Sequence, residues 1–335
     1  MLRVMSMPFC DLGAPFEAPL PTLEGATGWL NTEPMTVDDL LGKVVLVDFW
    51  TYTCINWIRT LPYTRSWAEV YRRHGLVVVG VHSPEFTIEH DVERVRTAVR
   101  ERRIEYPIAI DNDHAVWDAF DNRYWPSLYI ADRQGSIRHQ YFGEGGHEES
   151  EHVIRHLLAD GAEDDLPVGP EPVYPHGIEA PADWDNVRSA ETYLGLARSE
   201  GFASPGGGLF EDARVYSVPE RLLTNQWGLD GTWTFRAEDV LLNEANGRIT
   251  YRFHARDLHL ILAPPSDDSA ARFCVRLDGR PPHDAHGLDV DHDGNGIVTE
   301  PRLYQLIRQS GPITDRVFEI DIVDPGASAL CFTFG

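Results

Sequence analysis

One cysteine stands where its thiol could act as a nucleophile. Cys54 follows an apolar, β-branched run that begins at Val44, the pattern of a strand buried on both faces. Beyond the cysteine, apolar side chains recur at roughly helical spacing as far as Gly75, a residue typical of a helix end. At the start of a helix, unpaired backbone N–H groups and the helix dipole favour a thiolate over a thiol. The sequence therefore predicts a reactive cysteine between a buried strand and a helix.

A second stretch has the spacing of oxygen ligands for a hard cation. Residues 289–300 fit D-x-D-x-[DN]-G-x5-E, the calcium-loop pattern. The four candidate ligands are Asp289, Asp291, Asp293 and Glu300. No helical pattern precedes the stretch, however, and Gly296 stands where the pattern expects a hydrophobic residue. Ca²⁺ is the one cofactor that the sequence raises, and a β-hairpin turn rich in Asp and Gly is the alternative.

Composition and charge narrow the class of protein. The chain has 335 residues, more than one hydrophobic core usually holds, and its formal net charge is −24. So acidic a chain has no electrostatic site for nucleic acid or an anionic membrane, and no apolar stretch is long enough for a membrane span. Met1–Cys10 lacks the features of a signal peptide, so we expect a cytoplasmic protein. The four cysteines are too widely spaced for a zinc site or a disulfide framework; they are Cys10, Cys54, Cys274 and Cys331.

The first half of the chain alternates strand and helix patterns, which is typical of a layered α/β domain. Beyond the first strand and helix, strands are predicted at 76–81, 106–110, 124–130 and 136–142. Further helices are predicted at 36–41, 86–103, 113–120 and 148–158. Residues 161–185 are rich in Pro, Gly and acidic residues, which indicates a linker. We therefore expect a first domain over 1–160 and a second over 186–335.

The second half reads as short strands separated by turns. Several of these strands alternate apolar and polar residues, and no comparably clear helical pattern lies between them. The predicted strands are 233–236, 248–253, 258–262, 273–277, 317–323 and 329–334. The pattern predicts an antiparallel β-sandwich of jelly-roll type. Aromatic side chains such as Trp227, Trp233 or Tyr251 could stack on a sugar, with core packing as the alternative.

The stretch around Cys54 resembles the thioredoxin active site. Val47-Asp48-Phe49-Trp50 precedes the cysteine at the family's offset, and Pro62 matches the proline that kinks the active-site helix. The resemblance implies that Asp48 is the buried acid that helps to move protons. Trp57 replaces the second cysteine of C-x-x-C, so this chain has an attacking thiol without a resolving thiol beside it.

More of the chain resembles the TlpA/DipZ-type thioredoxin domain of the AhpC/TSA, or redoxin, superfamily. The matching motifs are 80–86, 106–113, 124–126 and 142–145, followed by 302–308 and 332–335 in a tail similar to the carbohydrate-binding-module-like sandwich of DipZ. The resemblance implies that Pro126 follows a cis peptide bond and faces the active cysteine. It does not extend to the membrane electron-transfer domain of DipZ proteins or to their second active-site cysteine.

These residues favour an oxidoreductase that works with a single thiol. Attack by Cys54 on a disulfide gives a mixed disulfide that an external thiol must release, so protein or low-molecular-weight thiols and disulfides are the expected partners. We expect Trp57 and Trp125 to flank the thiol and Thr51 and Thr53 to line the same substrate site, with packing of the tryptophans as the alternative.

Two other functions stay open. Thr51 lies three residues before Cys54, as in the P-x-x-x-T-x-x-C motif of one-cysteine peroxidases, but Val47 holds the proline position and Pro126 stands about where the activating arginine is expected. The chain could also be a redox-inactive binding or scaffold protein whose sandwich recognises a carbohydrate or protein. His82 and Glu85, at a predicted strand end, are candidates for proton transfer or for loop anchoring.

Overall fold

The computed structural model describes residues 18–159, 166–167 and 172–335. They form two compact units that divide between Ala180 and Pro181. Cys10 and most of the first half of the predicted linker lie outside the described residues. Within the part of the chain described, no helix combines the length and apolar character needed to cross a membrane.

The N-terminal unit is a mixed sheet with helices, as predicted. Its strands are β1 (Ala18–Pro19), β2 (Gly28–Leu30), β3 (Val44–Trp50), β4 (Leu76–His82), β5 (Ile108–Ile110), β6 (Ser127–Ala131) and β7 (Ser136–Phe142). Their order in the sheet is β1-β7-β6-β3-β4-β5-β2. Strands β3, β4 and β5 are parallel, and β6 runs antiparallel to β3. Every residue of central β3 is buried, which is why its sequence is a continuous apolar run around Asp48.

The helices of this unit are α1 (Val37–Leu40), α2 (Ile55–Tyr71), α3 (Val92–Glu101), α4 (Ala115–Ala119) and α5 (His147–Ala159). Pro62 lies inside α2, and Gly75 has the left-handed φ of 101° that ends the segment. The predicted single helix over 86–103 is wrong. A 3₁₀ turn (Thr87–His90) comes first, and α3 begins only after Asp91, whose carboxylate accepts the N–H of Glu93 as an N-cap.

Part of the predicted linker has structure of its own. A 3₁₀ turn (Gly177–Glu179) belongs to the N-terminal unit, where the Glu179 carboxylate accepts a hydrogen bond of 2.9 Å from Arg65 on α2. The three-part division at 160 and 185 itself stays a prediction.

The C-terminal unit is an antiparallel β-structure with its own apolar core. Its strands are β8 (Thr192–Tyr193), β9 (Arg214–Tyr216), β10 (Trp227–Phe235), β11 (Val240–Leu242), β12 (Gly247–Phe253), β13 (Asp257–Ala263), β14 (Ala271–Leu277), β15 (Asn295–Val298), β16 (Arg302–Arg308), β17 (Arg316–Ile322) and β18 (Ser328–Phe334). The longest path through the sheet is β15-β14-β17-β12-β10-β11-β18-β13-β16. This large antiparallel sheet is consistent with the predicted sandwich, and its jelly-roll connectivity stays a prediction.

The suggestion that certain aromatic residues of this unit stack on a sugar is wrong. Trp227, Trp233 and Tyr251 are fully buried in its core. Their indole and phenol groups bond to the backbone of Glu200, the backbone of Asp230 and the hydroxyl of Thr192. A carbohydrate ligand of the C-terminal unit therefore has no support from these side chains.

Candidate active site

Cys54 lies at the junction of β3 and α2, where the sequence places it. It is the N-cap residue of α2, and its carbonyl accepts the first helical hydrogen bond, from Ile58 N–H at 3.0 Å. The residue is partly exposed. Its Sγ lies 3.8 Å from the carbonyl oxygen of Trp125, and the Trp125–Pro126 peptide bond is cis, as the resemblance implies. The structure thus places the loop at Pro126 next to the thiol of the partly exposed Cys54.

Asp48 lies beneath this junction, and its neighbour is the residue that replaces the second cysteine. The indole Nε1–H of Trp57 donates a hydrogen bond of 3.1 Å to Asp48 Oδ2. Burial raises the pKa of Asp48 to about 7, and the indole hydrogen bond opposes that shift. Near neutrality this carboxyl can therefore hold or release a proton, as the resemblance implies for the buried acid.

Trp57 does not form a binding face, contrary to expectation. Its side chain is 0% exposed, and its ring stacks on Trp50 with centroids 4.2 Å apart. The indole fills the space under the helix start, with its one polar atom turned to Asp48. Trp57 is therefore part of the packing that holds the active-site turn, and it offers no surface to a substrate.

Trp125 does stand beside the thiol. Its indole Nε1–H donates to the carbonyl of Ser83 at 2.9 Å, and its ring packs on Trp117 with centroids 4.2 Å apart. The residue is only partly buried. Next to it, the rings of Tyr124 and Phe142 lie 5.2 Å apart and are 49% and 38% exposed. These aromatic side chains give the loop at Pro126 an apolar surface.

The threonines of the active-site turn are buried and do not line a surface. Thr51 and Thr53 are fully buried. Thr53 Oγ1 donates to Glu89 Oε1 at 2.5 Å, and Tyr52 donates its hydroxyl to the carbonyl of Ile88 at 2.9 Å. The turn before Cys54 is therefore fixed to the segment that follows β4, and direct contact of these threonines with a substrate is not supported.

Glu89 is a functional candidate that the sequence did not reveal. The side chain is fully buried, and its Oε2 accepts the backbone N–H groups of Glu85 and Phe86 at 2.6 and 2.9 Å. Burial raises the pKa of Glu89 to about 7, and the hydrogen bond from the Thr53 hydroxyl opposes the shift. Two buried carboxyl groups with raised pKa values therefore support the active-site turn.

His82 and Glu85 take structural positions. His82 is fully buried between Tyr52 and Trp50, and burial lowers its pKa to about 3, so the ring is neutral at physiological pH. The backbone N–H of Glu85 bonds to Glu89. These contacts favour loop anchoring over the proton-transfer role considered for both residues.

Three of the four carboxylates of the predicted calcium loop, those of Asp289, Asp291 and Glu300, are engaged by other partners. Asp289 accepts from the Arg302 guanidinium and the Gln305 N–H, each at 2.7 Å, and Arg302 also pairs with Glu300. Asp291 accepts the N–H groups of the turn that follows it, and Asp293 lies in that turn, before β15. The stretch 289–300 holds a turn at 291–294, strand β15 and the residues that lead to β16, and calcium binding remains a prediction without support from this geometry.

Comparisons with known proteins agree with both units. Residues 16–140 match the AhpC/TSA family, and residues 189–335 match the family described as thioredoxin like C-terminal domain. The chain is 34% identical over 265 residues to protein DipZ of Mycobacterium tuberculosis, an alignment that covers 78% of this chain and 36% of DipZ. The chain thus spans about a third of the length of that relative.

Two further relatives match the N-terminal unit. The thiol-disulfide oxidoreductase YkuV of Bacillus subtilis is 34% identical over 143 residues, which cover 42% of this chain and 95% of YkuV. The solution structure of a thioredoxin-like protein in the oxidized form is 33% identical, covers 43% of this chain and 97% of its own, and has a TM-score of 0.40. With the fold and the cysteine junction described above, the two family matches and the sequence matches to DipZ and YkuV show that the chain belongs to the thioredoxin-like AhpC/TSA family of TlpA/DipZ type and carries the C-terminal domain that accompanies it in DipZ.

Proposed function

We propose that the N-terminal unit catalyses thiol–disulfide exchange with Cys54 as its single thiol. The observation that carries the proposal is the pairing of a partly exposed Cys54, whose Sγ lies 3.8 Å from the Trp125 carbonyl, with a fully buried Trp57 where a resolving thiol would stand. The name of YkuV, a thiol-disulfide oxidoreductase, supports the same class of reaction.

The reaction needs two exchange steps. The Cys54 thiolate attacks one sulfur of a substrate disulfide, a new S–S bond forms, and the other sulfur leaves as a thiolate. An external thiolate then attacks the sulfur that the substrate has left on Cys54. The Cys54 thiolate is released, and the second product is a disulfide between the external thiol and that substrate fragment. The chain supplies the nucleophile, and the external thiol supplies the reducing electrons.

The described part of the N-terminal unit holds no second thiol that could release Cys54 internally. The three cysteines in the described part of the chain form no disulfide. Cys331 is buried in the core of the C-terminal unit, and Cys274 belongs to β14 of that unit. We therefore propose low-molecular-weight thiols of a reducing compartment, as expected for the cytoplasm, as the releasing partners.

Protein disulfides are suitable substrates as well. The exposed rings of Tyr124 and Phe142 offer apolar contact beside the thiol, and the Trp125 carbonyl is a hydrogen-bond acceptor next to Sγ. An extended peptide that carries a disulfide could use both the apolar rings and the carbonyl. Its side chains point alternately to opposite faces, and its backbone N–H groups remain free to donate hydrogen bonds.

The test compares Cys54→Ser with Cys274→Ser as a matched control. Burial raises the pKa of Cys274, which makes it a poor nucleophile near neutrality. Treated with oxidised glutathione, the native chain and Cys274→Ser should each gain one glutathione adduct by intact mass, and free glutathione should remove it. Cys54→Ser should gain no such adduct.

An adduct that persists in Cys54→Ser would contradict the proposal. Peroxide turnover that depends on Cys54, without disulfide exchange, would favour the peroxidase alternative. A chain whose Cys54 forms no adduct at all would favour the binding or scaffold alternative.

A further inference from the structure

A cluster of metal-ligating side chains lies in the C-terminal unit, independent of Cys54. His283, His292 and Asp293 are exposed, and each offers one ligand atom within 4.8 Å of the other two. The Nδ1 atoms of the two imidazoles are 3.4 Å apart, and Asp293 Oδ1 is 3.7 Å from His292 Nδ1. Two nitrogens and one carboxylate oxygen therefore lie close enough together to share one ion.

These separations fit a small tetrahedral cation. With metal–nitrogen bonds of about 2.0 to 2.1 Å, a tetrahedral centre holds two ligand atoms roughly 3.4 Å apart. The two Nδ1 atoms already have that separation. Neutral imidazoles with lone pairs facing each other repel, and a cation between them removes the repulsion. The alternative is a single N–H···N hydrogen bond between the rings.

The backbone fixes the three ligands relative to one another. The N–H of His283 donates to the carbonyl of His292 at 3.1 Å, so the two histidine segments are bonded directly. Asp291 Oδ1 accepts the N–H groups of Asp293 and Asn295 at 3.0 and 2.8 Å, which sets the turn that carries Asp293. A preformed arrangement lowers the entropic cost of binding an ion.

The surroundings of His292 also suit a ligand. Its Nε2 faces the carboxylate of Asp284, 4.0 Å away. A histidine that binds metal through one ring nitrogen commonly donates the N–H of the other to a carboxylate, which orients the ring and makes it a stronger ligand. Asp284 lies beyond hydrogen-bond distance here, so it would take that role only by moving closer when the metal binds, and it adds negative charge beside a cation.

We propose that His283, His292 and Asp293 bind a divalent transition metal of the Zn²⁺ class, with water at the remaining position. Imidazole nitrogen favours zinc and similar metals, whereas calcium prefers sites made of oxygen. The site shares only Asp293 with the calcium pattern of residues 289–300. The other three carboxylates of that pattern are bonded elsewhere.

The experiment is a calorimetric titration of the untagged full chain with Zn²⁺, in a Cys10→Ser, Cys54→Ser, Cys274→Ser background that removes Cys10 and the two partly exposed thiols of the described residues. We expect saturation at one Zn²⁺ per chain, at least tenfold weaker binding in His292→Gln, and roughly tenfold weaker binding in Asp284→Asn. His286→Gln is the matched control, since its Nδ1 lies against the carbonyl of Gly287 and outside the cluster. It should bind as the background does, and excess Ca²⁺ should not compete.

Histidine ring signals in the NMR spectrum give a second measurement that does not depend on a variant's stability. Zn²⁺ should shift the signals of His283 and His292 and leave His286 unchanged. No saturable binding, equal binding by His292→Gln and His286→Gln, or displacement of the metal by Ca²⁺ would each overturn the proposal.

Discussion

At the residue scale, Glu89 links the chemistry of the site to pH. Its hydrogen-bond donors in the described structure are a hydroxyl and two backbone N–H groups, while burial favours the neutral acid. The pKa of Glu89 rises from 4.5 to about 7 in the folded chain. The folded state therefore binds more protons than the unfolded state between these values, and stability falls as pH rises through that range.

The prediction for Glu89→Gln follows from this fall in stability with rising pH. Glutamine keeps the acceptor for the two backbone N–H groups and a polar partner for Thr53, but it cannot ionise. Between pH 5 and 8 the native chain should lose on the order of 3 kcal/mol of stability through Glu89, and the variant should lack that loss. Urea unfolding at several pH values measures it.

Glu93→Gln is the control for this series, because Glu93 is exposed and its carboxylate pairs with Arg96 on the same helix face. It should keep the native pH dependence. If Glu89→Gln keeps the native slope as well, the carboxyl is already ionised at pH 5 and the burial argument fails.

The sequence predicted Asp48, Cys54 and Pro126 but not Glu89, for a physical reason. The first three stand at fixed offsets within motifs whose apolar neighbours identify them. Glu89 lies in a stretch that reads as one amphipathic helix, in which a glutamate is expected to face solvent. The helix actually starts after Asp91, and Glu89 lies in the 3₁₀ turn before it. The direction of its side chain therefore does not follow the periodicity of the helix. Burial of a charged side chain leaves no signal in the periodicity.

At the element scale, the first turn of α2 decides whether one thiol or two can work. Trp57→Cys places a second thiol three residues after Cys54, where C-x-x-C pairs normally close. The variant should form a reversible disulfide and gain reductase activity, because the new thiol can release Cys54 from a mixed disulfide. Insulin reduction with dithiothreitol measures that gain.

The same substitution should lower stability. It removes a fully buried indole that stacks on Trp50 and bonds to Asp48, a loss of about 3 to 5 kcal/mol. Cys54→Ser, Trp57→Cys carries the same cavity without the attacking thiol and is the control. A folded Trp57→Cys that forms no disulfide and gains no activity would show that the helix start does not have dithiol geometry.

Elements were easiest to predict where burial is uniform. Strands β3 and β4 are enclosed, so their runs of valine and leucine stand out. Strand β16 was not predicted as a strand, although it is almost as well buried. It encloses Gln305, whose amide faces the ring of His259 at 3.2 Å, and arginines stand at both ends. Polar residues that bond to each other within a core interrupt the apolar pattern of a strand. The strand is then hard to predict, since the sequence does not show which residues are partners.

At the scale of the whole molecule, each unit has a core of its own. Apolar side chains of β3, β4 and α4 form part of the core of the N-terminal unit, and apolar side chains of the antiparallel strands form the core of the C-terminal unit. Units with separate cores can stay folded after the chain between them is cut. The length and the change of pattern near residue 161 predict two domains, and their boundaries at 160 and 186 stay a prediction. The jelly-roll connectivity depends on long-range pairing that local patterns do not encode.

Limited proteolysis tests the division. The first cuts should fall between residues 161 and 185 and leave two fragments that resist further digestion, which mass spectrometry of the products identifies. The N-terminal fragment should still take up glutathione at Cys54, because the described parts of the site lie in that unit. Initial cleavage inside either unit, or a fragment that unfolds once released, would contradict independent folding.

Trp57 has a consequence for how the proposed reaction responds to its surroundings. A site with two neighbouring thiols consumes two external thiols for every disulfide that it yields, so dilution of the thiol pool shifts its oxidised fraction. Cys54 beside a buried indole exchanges one thiol for one disulfide. By mass action its occupancy follows the ratio of disulfide to thiol and is insensitive to their total concentration. Because Trp57 replaces the second thiol, the oxidised fraction of the site depends on the ratio of disulfide to thiol in the pool and not on the total concentration of the pool.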